Sequence, residues 1–282
     1  SEALAQVSHN PTNKKNFPAF GLTKRKEVDL AVILHLYYTE QWSSITRHLK
    51  KISVPFDLHV SLRKDDQKFI ETVKKYFPTP KGYVVPNGAR DILLFVQMCR
   101  RLDKIGYKAV LKLHTKKSLH RLDGGVWGKD LIGSLMPNSL IANSSAKKVL
   151  NKEAAMIGPK NHYVQLQRYT GSNKERLEEL LFAIYDEPTA REVVTKAKEL
   201  GYFAGSMFWA NMETLRPLLN LYLMPEDFDL ESGQIDGTTA HAVERLFGVL
   251  AYTSKGKVLS SGLIGHKEID QSKASIKYKY AD

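Results

Sequence analysis

The sequence predicts an α/β protein in which a mostly parallel sheet is flanked by helices. Short apolar runs rich in Val, Ile and Leu alternate with helical segments that are apolar on one side. A strand–helix–strand order of this kind favours parallel strands joined by right-handed crossovers. The fourth predicted strand leads directly into a polar, cationic segment. Ligands of parallel sheets collect at the carboxyl ends of strands, so this edge is the first place to look for a binding site.

Each element of the first half follows from a residue pattern. Val28–Tyr38 is nearly continuous in apolar residues, which predicts a strand buried on both faces. Trp42, Ile45 and Leu49 then recur at helical spacing. The predicted strands are residues 28–38, 55–62, 82–85 and 107–113, and the predicted helices are residues 40–51, 65–77 and 90–105.

The second half is richer in helix. The apolar segment 202–210 predicts one buried strand, and its Gly205 is typical of a close backbone approach to a ligand or to another strand. Asn211 predicts the N-cap of the following helix. The other predicted elements are helices at 127–135, 138–150, 171–185, 189–200 and 238–250 and a strand at 154–158.

The chain divides into three regions by composition. Residues 1–27 are polar and interrupted by two prolines, which predicts a flexible lead-in or linker. Residues 28–253 form the predicted single domain. Residues 254–282 are rich in Ser, Gly and Lys, which predicts a basic, weakly ordered tail.

The net charge indicates which classes of partner the protein can bind, and the cysteine content indicates the cellular compartment. The 42 Lys and Arg against 30 Asp and Glu give a net charge of +12, which favours nucleic acid, anionic lipid or a nucleotide-phosphate substrate. A diffuse positive surface that maintains solubility is the alternative. Cys99 is the single cysteine and indicates a reducing compartment. No apolar run approaches the ~20 residues of a membrane span, so we expect a soluble or peripheral protein.

The segment after the fourth predicted strand is the first candidate for binding phosphate. Lys116 and Lys117 supply positive charge, and the Thr115 hydroxyl beside His114 supplies hydrogen-bonding geometry. A solvated basic turn is the alternative. The G-x-x-x-x-G-K-[ST] pattern is absent, which argues against a P-loop kinase or ATPase.

A second candidate lies between the third predicted strand and its helix. Gly88 permits a tight turn, Arg90 can clamp a phosphate or base, and Asp91 can accept from a sugar hydroxyl. Alternatively, Asp91 is a helix N-cap or a first-turn acid.

The acidic stretch before the last predicted helix is the best catalytic candidate. Asp236 precedes the helix, whose dipole favours an ionised carboxylate that can act as a general base. A plain N-cap is the competing interpretation. His241 and Glu244 stand three residues apart and share a helical face. Asp227-Phe228-Asp229 has the spacing of a cation-binding pair, but it lies in a loop, and we expect no metal there.

Several of these motifs together resemble the rhamnan synthesis protein F family of bacterial glycosyltransferases. The resemblance spans roughly residues 28–250. Residues 87–91, Asn-Gly-Ala-Arg-Asp, depart from the family pattern by having Ala89 where a glycine is usual. Leu93 and Leu94 likewise replace Gly-Pro, so the donor or the local backbone is expected to differ. The matching segments are 32–38 with Trp42, 56–60, 87–91, 112–118, 204–209 and 233–247.

The resemblance implies a GT-A-like, Rossmann-type domain that transfers a deoxyhexose, rhamnose from dTDP-rhamnose, to a growing polysaccharide. It implies inversion with one carboxylate base, for which Asp236 is the first choice and Glu231 the second, with His241 beside them. Cationic residues replace the usual metal pair, so no cofactor is expected; Mg²⁺ or Mn²⁺ is the alternative. The implied donor residues are His35, Asn87, Arg90, Asp91, His114, Thr115, Lys116, Lys117, Gly205 and Ser206, and the implied acceptor residues are Trp209 and Gln234.

Partners and location follow from the resemblance and the charge together. The acceptor is expected to be a lipid-linked glycan, and the protein to be cytoplasmic with peripheral contact to anionic membrane. Alternatives are a non-catalytic nucleic-acid-binding module and a sugar-nucleotide-binding relative without activity. Phe208 and Trp209 lie inside a predicted strand instead of alternating with exposed Lys and Arg, so no nucleic acid is expected.

Overall fold

The computed structural model describes residues 27–62, 67–75, 77, 81–84, 91–115, 124–166, 173–196, 199–228 and 237–270. Within these residues there are ten strands and nine α-helices. The strands are β1 (Leu30–Leu36), β2 (Phe56–Leu62), β3 (Lys81–Val84), β4 (Ala109–His114), β5 (Ala154–Pro159), β6 (Tyr163–Gln165), β7 (Gly201–Phe203), β8 (Phe208–Asn211), β9 (Lys257–Gly262) and β10 (Gly265–Glu268).

The helices cover both faces of the sheet. A 3₁₀ turn at Thr39–Gln41 precedes the first of them. They are α1 (Trp42–Leu49), α2 (Gln67–Lys74), α3 (Asp91–Lys104), α4 (Gly124–Leu135), α5 (Ser139–Leu150), α6 (Lys174–Ile184), α7 (Glu187–Lys196), α8 (Met212–Leu219) and α9 (Thr239–Thr253).

The main sheet has eight described strands in the order β10-β9-β5-β8-β4-β1-β2-β3. Strands β1, β2, β3, β4, β5 and β9 run in one direction, while β8 and β10 run against it. The expected α/β architecture with a mostly parallel sheet is therefore confirmed. Because β1 to β4 are parallel, their carboxyl ends meet at one edge of the sheet, which we call the carboxyl edge.

Burial explains why the first strand is apolar throughout. All seven residues of β1 are buried, as expected for a central strand covered on both faces. Leu30, Val32 and Leu34 belong to one core cluster, together with residues of α1, α4 and α5. Ala31 and Ile33 face the opposite cluster, which is built with α3, α8 and α9. Alternate residues of one strand therefore join two cores through one sheet.

Asparagine side chains cap two of the helix starts. Asn138 accepts a hydrogen bond from the backbone N–H of Ile141 at the start of α5. Asn211 accepts from Glu213 at the start of α8, as predicted. A short polar side chain at the N-cap stabilises a helix by about 1 kcal/mol, because it satisfies one of the first four N–H groups.

Two sequence-based expectations are corrected. The segment 202–210 is two strands, β7 and β8, which belong to different sheets. Between them Gly205 and Ser206 have φ values of 91° and 50°, so the chain turns there instead of continuing extended. The weakly ordered tail expected from residue 254 is wrong for residues 257–268, which form β9 and β10. Residues 1–26 and 271–282 lie outside the described residues.

The buried face of β9 shows why that part of the chain is ordered. Val258, Leu259 and Ser261 are buried, and β9 lies between β10 and β5 and pairs in parallel with β5. Its Ser- and Gly-rich composition is therefore compatible with a strand because the neighbouring strand supplies the packing. In the described part of the chain, no helix combines the length and apolarity that crossing a bilayer requires.

Candidate functional site

Three polar side chains form a row across neighbouring strands at the carboxyl edge. In the strand register His35 of β1 is paired with Ser61 of β2 on one side and with His114 of β4 on the other. The ring Nδ1 of His35 lies 2.7 Å from Ser61 Oγ. Buried polar groups of this kind require partners, and here neighbouring strands supply them.

Asp91 joins this row from the start of α3. Its Oδ2 accepts a hydrogen bond from Lys112 Nζ at 2.7 Å and lies 3.3 Å from His114 Nδ1. Lys112 Nζ is also 3.4 Å from His114 Nδ1 and 5.4 Å from the centre of the Phe95 ring. We refer to His35, Ser61, Asp91, Lys112 and His114 as the carboxyl-edge cluster.

Sequence reasoning missed two residues of this cluster, Ser61 and Lys112. The side chain of Lys112 is only 2% exposed, which is rare for a lysine and requires a charge partner. It points to the same face of β4 as His114, two residues later, because strand side chains alternate. For Lys112 the available signal was a lysine within a mostly apolar strand. For Ser61 it was the alternation of polar and apolar residues along β2, in which Asp57 and His59 precede it at intervals of two.

The electrostatics of the cluster keep Asp91 ionised. The partial loss of hydration at Asp91 alone would raise its pKa, but the charges of Lys112 and His114 outweigh this effect and hold the pKa well below its usual range. Burial lowers the pKa of His35; Asp91 opposes this shift and Lys112 reinforces it. His35 is therefore neutral at pH 7, whereas Asp91 carries its full charge.

Thr115 ties the loop after β1 to the end of β4. Its Oγ1 accepts hydrogen bonds from the backbone N–H groups of Tyr37 and Tyr38, at 2.8 and 2.9 Å. Its own N–H donates to the carbonyl of His35. The hydroxyl expected to contact the donor thus already accepts two hydrogen bonds from the protein, and it fixes the two backbone segments that border the cluster.

The turn at Gly205 and Ser206 is held against α9. The Gly205 N–H donates to Glu244 Oε1 at 3.0 Å, and Glu244 pairs with Arg245 at 3.1 Å. Ser206 is 3% exposed, and its Oγ has no hydrogen-bond partner among the described residues. A non-glycine residue in the left-handed conformation is uncommon and occurs preferentially at functional sites, so this turn is a candidate for ligand contact.

The start of α9 settles what caps that helix. Thr238 is the N-cap, since its Oγ1 accepts from the N–H of His241, and it lies 2.7 Å from His241 Nδ1. Just before it, the Gly237 N–H donates to the buried Asn173 side chain at 3.0 Å. The N-cap position of α9 thus belongs to Thr238 and not to Asp236, whose own placement lies outside the described residues.

Aromatic packing connects the cluster to α9. The Phe208 ring on β8 lies 5.8 Å from Phe95 on α3 and 5.0 Å from Phe247 on α9. Phe95 is also the ring beneath Lys112. The carboxyl-edge cluster and the helix that follows the acidic segment are therefore parts of one packed unit.

Two other residues have structural roles that the sequence did not indicate. Trp209 is completely buried, and its Nε1 is 3.4 Å from the carbonyl of Leu135, so core packing explains its position without an acceptor. Its acceptor role stays a prediction. Asp227 Oδ2 accepts from the N–H of Met224 and shapes a turn. The remaining sequence-based site residues lie outside the described residues: Asn87, Arg90, Lys116, Lys117, Glu231, Gln234 and Asp236.

Comparison with known proteins identifies the family. The sequence profile described as rhamnan synthesis protein F matches residues 12–255, which is most of the chain. The protein belongs to the rhamnan synthesis protein F family. The sequence-based resemblance to this family is therefore confirmed.

Two relatives of this family member come from strains of Xanthomonas campestris pv. campestris, and each is named uncharacterized protein WxcX. They are 34% and 33% identical to this chain over 234 residues. The match covers 80% of this chain and 31% of each relative, so the chain spans about a third of the length of these relatives.

Among solved structures, the crystal structure of S. aureus TarS, residues 1–349, is similar to this family member with a TM-score of 0.43 and 9% identity. The match covers 85% of this chain and 59% of that one. Likeness at this level carries no information about activity.

Proposed function

We propose that this domain is a glycosyltransferase that moves a deoxyhexose from a nucleotide-sugar donor to a hydroxyl of a growing bacterial cell-surface polysaccharide, such as an O-antigen, a capsule or a rhamnan. The proposed donor is dTDP-rhamnose. Membership of the rhamnan synthesis protein F family supports the polysaccharide context. The observation that carries the proposal is the carboxyl-edge cluster, a charged and hydrogen-bonding group where parallel strands present ligands.

The proposed donor site extends outward from this cluster. Lys116 and Lys117 come two and three residues after His114, the last residue of β4. In our proposal they therefore reach a diphosphate bound beyond the end of β4. In our proposal Asn87, Arg90 and Asp91 hold the nucleoside or sugar. The buried Ser206 Oγ and the turn that Glu244 holds border the sugar.

The proposed reaction is a single in-line displacement. Asp236 takes the proton of the acceptor hydroxyl, whose oxygen forms a bond to the anomeric carbon from the face opposite the leaving group. The bond between that carbon and the phosphate oxygen breaks, and the nucleoside diphosphate departs with the electron pair. The configuration is inverted in this way. Glu231 is the second choice of base, and His241 at the start of α9 is proposed to support the acceptor side with Gln234.

Metal independence is also a proposal. A diphosphate leaving group requires positive charge, which Lys116, Lys117 and His114 can supply without a cation. Binding of Mg²⁺ or Mn²⁺ is the alternative. Asp227 and Asp229 have the spacing of a cation-binding pair and would be its candidate ligands.

The first experiment is thermal stabilisation by a panel of nucleotide sugars, each with and without a chelator. A shift with a dTDP-deoxysugar that survives chelation supports both the donor class and the absence of metal. Loss of the shift on chelation would contradict metal independence alone. If no sugar nucleotide shifts the melting temperature but random oligonucleotides bind in a salt-sensitive manner, the nucleic-acid-binding alternative replaces the transferase.

The catalytic assignment has a matched pair of variants. Asp236→Asn should reduce transfer by about 10²–10⁴-fold while donor binding stays unchanged, because a general base acts on the chemical step. Asp227→Asn makes the same chemical change in the same acidic segment and should keep turnover near that of the unmodified chain. Near-normal turnover of Asp236→Asn would refute the assignment and direct attention to Glu231.

We also propose a cytoplasmic location with peripheral attachment to the inner face of the membrane. A lipid-linked glycan acceptor requires the catalytic edge to come close to a bilayer. The net charge of +12 favours anionic headgroups as the contact.

A further inference from the structure

The turn between β9 and β10 exposes two adjacent apolar side chains. Leu263 is 74% exposed and Ile264 is 90% exposed, which makes Ile264 the most exposed of the large apolar side chains that the structure describes. Single exposed apolar residues are common on protein surfaces. Two neighbouring ones at the tip of a hairpin form a small apolar projection, and such a projection calls for an explanation.

The hairpin that carries this tip is held firmly in place. Its strands pair from Gly262 with Gly265 to Leu259 with Glu268. His266 Nε2 lies 2.7 Å from Ser145 Oγ, which fastens β10 to the middle of α5. Ser260 Oγ donates to the carbonyl of Lys267. The apolar tip is therefore a fixed projection of the sheet.

The tip lies at the same edge of the sheet as the candidate site. Strand β9 is parallel to β5. Strand β8 lies between β5 and β4 and is antiparallel to both, so β9 and β4 run in the same direction. Its last residue, Gly262, is therefore at the carboxyl edge, and Leu263 and Ile264 continue beyond it. Three strand spacings separate β9 from β4, or about 15 Å at ~4.8 Å per strand.

Two lysines lie near the tip. Lys160 packs against Gly262 so closely that a Cβ at that glycine would lie 3.0 Å from Lys160 Cδ. Lys267 follows Gly265 by two residues. His266 lies between them, but it contacts Ser145, and burial lowers its pKa. Glu268 lies at the other end of β10, where Lys257 pairs with it at 2.7 Å. The hairpin thus has an apolar tip with basic residues behind it, and its acidic residue is neutralised away from the tip.

We propose that the β9–β10 hairpin docks the protein on a bilayer with anionic headgroups, with Leu263 and Ile264 entering the interface and Lys160 and Lys267 contacting the headgroups. A specific protein partner would bury roughly 800 Å² on each side, whereas two residues on a narrow projection offer much less. Shallow insertion combined with basic residues is instead what an anionic lipid surface accommodates. Docked in this way, the catalytic edge faces the membrane that would carry a lipid-linked acceptor.

The test is sedimentation with vesicles of phosphatidylglycerol and phosphatidylcholine, compared with phosphatidylcholine alone. The unmodified chain should bind the anionic vesicles. The double variant Leu263→Ser, Ile264→Ser should bind about tenfold more weakly, because it removes the inserting side chains. Lys160→Gln, Lys267→Gln should weaken binding about tenfold or more at low salt, because each basic residue near the surface contributes several-fold.

Leu140→Ser provides the matched control. Leu140 is 78% exposed at the start of α5, outside the hairpin, and its substitution should leave vesicle binding unchanged. The side chains substituted at the tip and in this control are exposed, so their melting temperatures should equal that of the unmodified chain. A melting curve with an unchanged midpoint confirms that each variant is folded.

Three outcomes would overturn the proposal. They are equal vesicle binding by the unmodified chain and the tip variant, absence of binding by the unmodified chain, or a concentration-dependent dimer in light scattering that the tip variant abolishes. The last outcome would assign the tip to a second copy of the chain. The inference rests on the proposed placement at the membrane and not on the transfer chemistry. Vesicle binding needs no donor or acceptor, so it can fail while transferase activity persists, or the reverse.

Discussion

Lys112 Nζ lies 2.7 Å from Asp91 Oδ2, and the two side chains differ strongly in their access to water. Lys112 is 2% exposed, whereas Asp91 is 28% exposed. The pair therefore joins a deeply buried cation in the middle of a strand to a carboxylate that still reaches the surface at a helix start. Removal of one side chain should therefore lower the free energy of unfolding by a different amount from removal of the other.

Asp91→Asn should destabilise the protein more than Lys112→Met does. Asp91→Asn leaves the Lys112 ammonium group buried without its counter-charge, which should lower the free energy of unfolding by about 3–5 kcal/mol. Lys112→Met instead leaves the Asp91 carboxylate, which solvent can still reach. Chemical denaturation of both single variants and the double variant measures this. The double variant should be more stable than Asp91→Asn, because the uncompensated charge is gone. Equal losses in the two single variants would contradict the asymmetry.

Stability should fall on acidification from about pH 7.5 to about pH 5.5, and His35 should contribute to the loss. Burial lowers the pKa of His35, so in this range the folded chain binds fewer protons than the unfolded chain. Its contribution is present above the unfolded value of about 6.5 and is lost as the pH falls toward the folded pKa.

His35→Asn should make this acid-induced loss smaller, by at most about 1.4 kcal/mol per pH unit below 6.5. Burial also lowers the pKa values of His48 and His266, so these two residues contribute to the loss that remains. Urea midpoints at both pH values provide the comparison, and an NMR titration of the His35 ring tests the cause directly. A ring that titrates at or above 6.5 would rule out this contribution.

Ser206→Ala should leave stability unchanged or slightly higher while transfer falls about tenfold. Removal of a buried hydroxyl that has no partner costs no protein hydrogen bond, whereas a bond from Oγ to substrate would be lost. Ser261→Ala is the matched control. Ser261 is buried as well, and its Oγ likewise has no partner in the described part of the chain. Its substitution should leave kcat/KM unchanged. Equal activity of the two variants would remove Ser206 from the site.

Trp209→Phe should lower stability by about 1–2 kcal/mol and leave the KM for the acceptor unchanged. The indole is fully buried in a core cluster with residues of α1 and α4. The variant creates a small cavity and removes the contact of Nε1 with the Leu135 carbonyl. Denaturation and steady-state kinetics measure the two effects separately. A raised acceptor KM without loss of stability would support the acceptor role of Trp209 instead.

Much of the fold is readable from residue order, because neighbouring residues carry the pattern. The apolar run at Leu30–Leu36 predicts a doubly covered strand, and Asn211 predicts a helix start; both are observed. His35, His114 and Asp91 could likewise be assigned to one edge of the sheet, since each follows or precedes a strand end. These conclusions need only periodicity, capping and the rule that parallel strands share a carboxyl edge.

Other features depend on contacts between residues far apart in the chain. Periodicity makes 202–210 one strand, but a left-handed turn at Gly205 and Ser206, tied to Glu244 39 residues away, divides it. Ser- and Gly-rich residues resemble a tail until β5 packs beside Lys257–Gly262. Lys112 has the composition of a surface residue, and only the folded chain brings Asp91, 21 residues away, to its ammonium group. Burial and pairing energies are properties of the packed structure, so local sequence patterns do not contain them.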